Sequence, residues 1–163
     1  MIFDVALILA VILCSLVAGF LFAFAVVVMP GIGKLDDGGF IRAFQVIDGV
    51  IQNGQPLFVF VWIGSLLALL AATAIGVFVL TGVDRLLVIA AAAVYALCVQ
   101  LPTFTVNIPL NERIQRTDVG TMDDSARRRA REDFEGRWNR WNLFRSTCAS
   151  VVMIVLVVLL FGI

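Results

Sequence analysis

Apolar residues in this chain fall into four uncharged runs, Val5–Met29, Pro56–Val83, Leu86–Leu110 and Ser146–Ile163, each as long as or close to the width of a bilayer. A membrane span takes about 20 mostly apolar residues, because ~30 Å of hydrocarbon is crossed at 1.5 Å per residue. Within such a run every backbone amide must find its partner in the same helix, so the pattern predicts four transmembrane helices. Between the first two runs the period changes. Phe40, Ala43, Phe44, Ile47 and Ile51 lie at i, i+3, i+4, i+7 and i+11, one stripe of a helix. An amphipathic helix over Gly39–Gln52 follows. Asp36 and Asp37 stand ready to cap it, and Asn53-Gly54 followed by Gln55-Pro56 ends it. It either lies in the interface or folds back over the mouth of the bundle.

The turn Thr81-Gly82-Val83-Asp84-Arg85 makes spans two and three antiparallel neighbours. Pro102 inside span three predicts a kink. Residues 117–124 read as a loop, with Asp123, Asp124 or Ser125 capping a helix that runs on into span four, Gly136 being its one weak point. Spans one and three both leave the membrane at a proline, Pro30 and Pro109, and lead into polar, helix-rich segments. The fold expected is all-α: a four-transmembrane-helix antiparallel bundle with a short amphipathic interfacial helix between spans one and two, a single domain over residues 1–163.

Composition agrees. Sixty-one per cent of the 163 residues are hydrophobic, against roughly half in soluble domains, and the mean hydropathy is +1.03. The first run is too long for a signal peptide and no basic residue precedes it, so it reads as a retained span. A net charge of zero hides an asymmetry: nine of the twelve basic residues lie in Asn111–Arg145, together with seven acids. That balance speaks against a nucleic-acid partner. The positive-inside rule counts basic residues, and so puts the two larger loops in the cytoplasm and both termini outside, in a multi-pass protein of the cell membrane. Arg127-Arg128-Arg129-Ala130-Arg131, interleaved with Glu132, Asp133 and Glu135, reads as a solvated helix with i,i+4 pairs.

There is no histidine. Haem, zinc, copper and non-haem iron sites lean on imidazole, so no metal centre is expected, and the commonest general base is missing. Cys14, Cys98 and Cys148 sit singly in apolar runs and read as packing residues.

Polar groups inside lipid are costly, so their clustering marks a site. On span three Gln100, Thr103, Asn107 and Asn111 fall at i, i+3, i+7 and i+11. On span four Trp138, Trp141, Asn142 and Arg145 fall at i, i+3, i+4 and i+7. Facing one another, the two stripes build a pocket of amides, indoles and a guanidinium beside Pro30. Anchoring by interfacial tryptophan and snorkelling arginine is the competing reading. It does not require the amides to align with the arginine.

Asn107-Ile108-Pro109-Leu110-Asn111, followed by Trp138-Asn139-Arg140-Trp141-Asn142-Leu143-Phe144-Arg145, resembles the signature of the anthrone oxygenase-like membrane family, N-x-P-L-N and then W-x-x-W-N-x-x-R. Ala18-Gly19-Phe20, Met29-Pro30 and Pro56-Leu57-Phe58 resemble it too. At Asp48 the chain departs from an expected asparagine. The resemblance spans essentially the whole chain and implies four membrane helices. In fungal polyketide pathways it implies an enzyme that inserts oxygen from O2 into an anthrone.

Two functions stay open. One is a cofactor-independent oxygenase or oxidase acting on a hydrophobic aromatic or quinol-type substrate, with molecular oxygen as co-substrate. Asn107, Asn111, Asn142 and Arg145 would then act on the reacting oxygen, while Trp138, Trp141, Gln100, Thr103 and Pro30 bind the substrate. The base would be Asp48, Glu112 or the substrate's own acidity. The other is a non-enzymatic membrane protein binding a quinone or lipid, or docking a partner membrane protein. Its partners otherwise are the bilayer and a hydrophobic small molecule. The small residues Ser15, Ala18 and Gly19, and 90–93, permit close helix packing within the bundle or between copies of the chain.

Overall fold

A computed structural model describes residues 1–162 as five helices, four of them long and apolar enough to cross a membrane. They are α1 (Ile2–Ile32), α2 (Asp37–Gln52), α3 (Pro56–Val79), α4 (Gly82–Gln115) and α5 (Asp124–Gly162). The expected bundle with its extra short helix is what forms. Asp36 caps α2 by accepting the Gly39 N–H at 2.6 Å. Asp123 caps α5 through the Ala126 N–H at 2.7 Å and the Ser125 hydroxyl at 2.8 Å. These bonds, the Ala126 amide first, hold the Asp123 carboxyl below the usual carboxylate range. Helix α5 then runs 39 residues without a break, straight through Gly136. Gly54 and Gly82 take positive φ (75° and 54°) at the turns before α3 and into α4, where any other L-residue would be strained.

Three π turns interrupt the membrane helices: Phe24–Val28 in α1, and Tyr95–Gln100 and Thr103–Asn107 in α4. Each closes with an N–H donated five residues back, Met29 to Phe24, Leu101 to Ala96 and Ile108 to Thr103. Met29, Leu101 and Ile108 are the residues immediately before Pro30, Pro102 and Pro109. The physical reason is shared. A proline ring collides with the carbonyl four residues earlier and offers it no N–H. Widening the preceding turn makes room for the ring and keeps the last available N–H bonded.

Two apolar clusters fill the bundle. One, at the end away from α2, gathers Leu7, Cys14, Val17, Leu69, Val88, Tyr95 and Leu156. The other gathers Phe24, Phe40, Phe44, Ile114, Phe134 and Trp138 beneath α2. Of the two placements open to the amphipathic helix, the chain adopts the second: α2 folds back over the bundle mouth. Its Phe44 meets Phe134 and Trp138 edge-on at centroid distances of 4.6 and 5.6 Å. Polar stitching holds it down. Gln45 donates to the Ile114 and Thr117 carbonyls, both at 2.8 Å, where the chain leaves α4. Arg131 donates to the carbonyls of Gly33 and Leu35 and pairs with Asp37 and Glu135, its guanidinium 4.5 Å from the centre of the Phe40 ring.

Candidate functional site

Between the two clusters lies a cavity of about 290 Å³. Its wall is largely apolar and rich in aromatic rings. Phe20 and Phe24 come from α1, Phe44 from α2, Phe58 and Trp62 from α3, and Trp138 from α5. Phe20 stacks tilted on Phe24 at 4.8 Å and meets Phe58 edge-on at 5.2 Å. Phe58 stacks on Trp62 at 5.4 Å, and Phe24 lies 5.7 Å from Trp138. Such a lining suits a flat apolar ligand.

The polar groups form two rungs between α4 and α5. At the rung nearer α2, the Trp138 indole N–H donates to Asn111 Oδ1 at 2.7 Å. At the deeper rung, Arg145 Nη1 donates to Thr103 Oγ1 at 2.7 Å. Trp138 and Arg145 are seven residues apart, so about 10 Å of helix separates the rungs. Arg145 Nη2 also donates to Asn142 Oδ1 at 3.1 Å, and Asn142 Nδ2 donates to the Leu21 carbonyl at 3.0 Å, just ahead of the π turn in α1. Asn107 sits between the rungs on α4 and has no partner at either end of its amide. Arg145 Nε is likewise unbonded. Both residues are buried, 2% and 3% exposed. Unfilled polar atoms at such depth cost about 1–3 kcal/mol each, more when charged, so a ligand that fills them gains that much.

Asp48 closes the α2 end, and it too is buried. Its Oδ1 accepts from Asn111 at 2.7 Å and its Oδ2 from Gln115 at 3.0 Å and from Gln52. All three donors are neutral amides. Arg145 and Asp48 are therefore opposite charges lining one cavity, and among the described residues neither has an ion-pair partner.

Of the residues read from the sequence, Thr103, Asn107, Asn111, Trp138, Asn142 and Arg145 converge on the cavity. Arg145 meets Thr103 and Asn142 rather than Asn107, Asn111 or a carboxylate. Gln100 lies one turn deeper, its carbonyl accepting the Trp62 indole N–H at 3.0 Å. Trp141 does not reach the cavity. It lies about 60° to one side of Trp138 around α5 and packs edge-on against Phe144 at 5.7 Å. Pro30 is exposed and lines a separate groove with Lys34, Glu135 and Asn139. Glu112 is half-exposed and pairs with Arg116 at 3.2 Å, outside the cavity. The aromatic wall was missed, although the i,i+4 pairs Phe20/Phe24 and Phe58/Trp62 are visible in the sequence.

Comparison with known proteins agrees with the motifs. The family model described as anthrone oxygenase matches residues 50–155. The match covers both rungs, Asn107 and Asn142, and leaves out Asp48 and the aromatic residues of α1. No curated protein matches the chain, and neither does any solved structure.

Proposed function

Because the chain belongs to the anthrone oxygenase family, we propose that the cavity holds a flat hydroxyaromatic ketone or quinol and oxidises it with O2, without a cofactor. The observation that carries this reading is Arg145, a buried cation with no carboxylate partner, beside an Asn107 amide that is free at both ends. A preorganised donor pair of this kind stabilises an oxygen that gains negative charge.

Deprotonation of the CH2 group of an anthrone puts charge on the ketone oxygen, within reach of Arg145 Nε and Asn107 Nδ2. Asp48, the buried carboxylate at the other end, takes the proton. Its partners Gln52 and Gln115 connect it to the polar surface of α2 and α4, a route for the proton's release. The enolate passes one electron to O2, and the carbon radical and superoxide combine into a peroxide anion. Once protonated, the hydroperoxide eliminates water. CH2 and O2 thus become C=O and H2O, and the books balance without another reductant. The apolar wall admits O2 and excludes water, which strengthens the Arg145 interaction.

The protein's orientation belongs to the same proposal: the end carrying α2, Asp48 and the eight arginines from Arg113 to Arg140 faces the cytoplasm.

Oxygen uptake by the purified protein with anthrone tests the reading. Uptake should match ketone formation one to one, and Arg145→Lys should lose it while staying folded, since the charge remains but the planar fork does not. Tight binding of anthraquinone with no oxygen uptake would replace the oxygenase by a ligand-binding protein.

A further inference from the structure

The cavity wall is uneven. Most residues contributed by α1, α2 and α5, such as Phe24, Phe44, Trp138 and Asn142, are buried, and Phe20 and Ile51 are half-buried. Four lining residues are open to the outside: Val59 and Ile63 on α3 (39% and 53% exposed) and Phe104 and Ile108 on α4 (59% and 36%). All four lie within helices that are membrane spans by length and hydropathy. Helix α3 packs against the first half of α4, and the hydrogen bond from Trp62 to Gln100 ties the two at the level of Ile63, about one turn deeper than Val59 and Phe104. From Tyr95 onward α4 no longer packs closely along α3; the side-chain bonds of Ser65 with Tyr95 and of Trp62 with Gln100 still tie the two, and past Gln100 α4 enters the π turn at Thr103–Asn107. The end facing the polar surface is roofed by the buried side chains Phe40, Phe44 and Asp48 of α2.

We infer that this gap is a lateral portal, through which the cavity is loaded from the hydrocarbon of the bilayer rather than from water. Its occupant is a planar apolar molecule dissolved in the membrane, carrying one oxygen that accepts hydrogen bonds. The exposed rim is wholly hydrocarbon, which offers a lipid-dissolved molecule a path with no desolvation step. The unpartnered Asn107 amide and Arg145 Nε wait at the inner end, where only the polar tip of such a molecule needs to arrive. The π turn before Pro109 both opens the gap and carries Asn107. The inference rests on the cavity as the binding site and not on the oxidation proposed for it.

The test uses the full chain in lipid nanodiscs with 1-hydroxyanthraquinone as probe, binding being followed by quenching of tryptophan fluorescence. Ile63→Trp and Phe104→Trp enlarge side chains that face lipid, so the bundle tolerates them, and they fill the gap. Each should slow association and dissociation together by about tenfold, because a blocked path raises the same barrier in both directions. Phe104→Ala should speed both. Plugged variants that bind and release the probe at the unmutated rates would overturn the portal. Failure of the probe to bind the unmutated protein would overturn the class of occupant. Binding at portal-dependent rates with no oxygen uptake from anthrone would leave this inference standing and remove the oxygenase alone.

Discussion

The indole N–H of Trp138 donates to Asn111 at 2.7 Å, and the other end of the same amide donates to Asp48 at 2.7 Å. An indole only donates and a carboxylate only accepts, so the two neighbours fix which way the Asn111 amide points. One asparagine thereby aligns an aromatic wall residue on α5 with the buried acid on α2.

Replacing Asn111 by Leu should therefore cost about 1–3 kcal/mol, since it orphans the indole N–H and removes one of three donors from a buried carboxylate. Thermal melting in detergent measures this. The companion variant Asn111→Asp sets two carboxylates side by side and should melt lower at pH 8 than at pH 5, where a shared proton relieves the repulsion. A variant as stable as the parent at both pH values would mean that Asp48 does not depend on Asn111.

The proline turns make a second expectation. Pro109 is exposed, so Pro109→Ala leaves no hole. It returns an N–H to α4 and removes the ring that widens the turn before it, so the Thr103–Asn107 turn should tighten to α geometry. Stability should rise by up to about 3 kcal/mol, while Asn107 swings off the cavity and affinity for 1-hydroxyanthraquinone falls. Unchanged affinity in this variant would show that the π turn does not depend on the ring.

These turns also explain where the sequence was legible and where it was not. Four spans, the loop before α5 and the caps at Asp36 and Asp123 follow from local composition, and they are present. The polar face of α4 was read with ordinary helical spacing from Gln100. A π turn winds in an extra residue, so the face that forms is Thr103, Asn107 and Asn111, with Gln100 turned to Trp62. The three prolines were the available signal. On α5, where no proline intervenes, Trp138, Asn142 and Arg145 share the cavity as spaced, and Trp141 fails only because it sits at the edge of the arc. Asp48 was the hardest to place. An acid four residues after Phe44, on the apolar stripe of α2, looks like an error of pattern until Gln52, Asn111 and Gln115 are seen to converge on it.

Sidedness can be measured directly. Asp118 lies exposed in the loop between α4 and α5. With the arginine-rich end facing the cytoplasm, Asp118→Cys should resist a membrane-impermeant maleimide in intact cells and react once they are permeabilised. Labelling of intact cells would invert the protein and place Asp48 at the outer surface.

Arg145 offers the sharpest contrast between a structural and a functional charge. A buried arginine that holds a fold together has a carboxylate partner, and removing it costs about 3–5 kcal/mol, because the partner is stranded. Arg145 has none; its acceptors are Thr103 and Asn142, each of which also donates elsewhere, to the Val99 and Leu21 carbonyls. Arg145→Met keeps the length of the side chain and removes a desolvated charge. It should leave the bundle as stable as before or up to about 4 kcal/mol more stable. The same variant should lose binding of 1-hydroxyanthraquinone by about a hundredfold or more, the loss of a charged hydrogen bond in a site shielded from water. Melting and binding measured on one preparation decide it. A Met variant that unfolds would make Arg145 a part of the scaffold, and one that binds as before would remove it from the site.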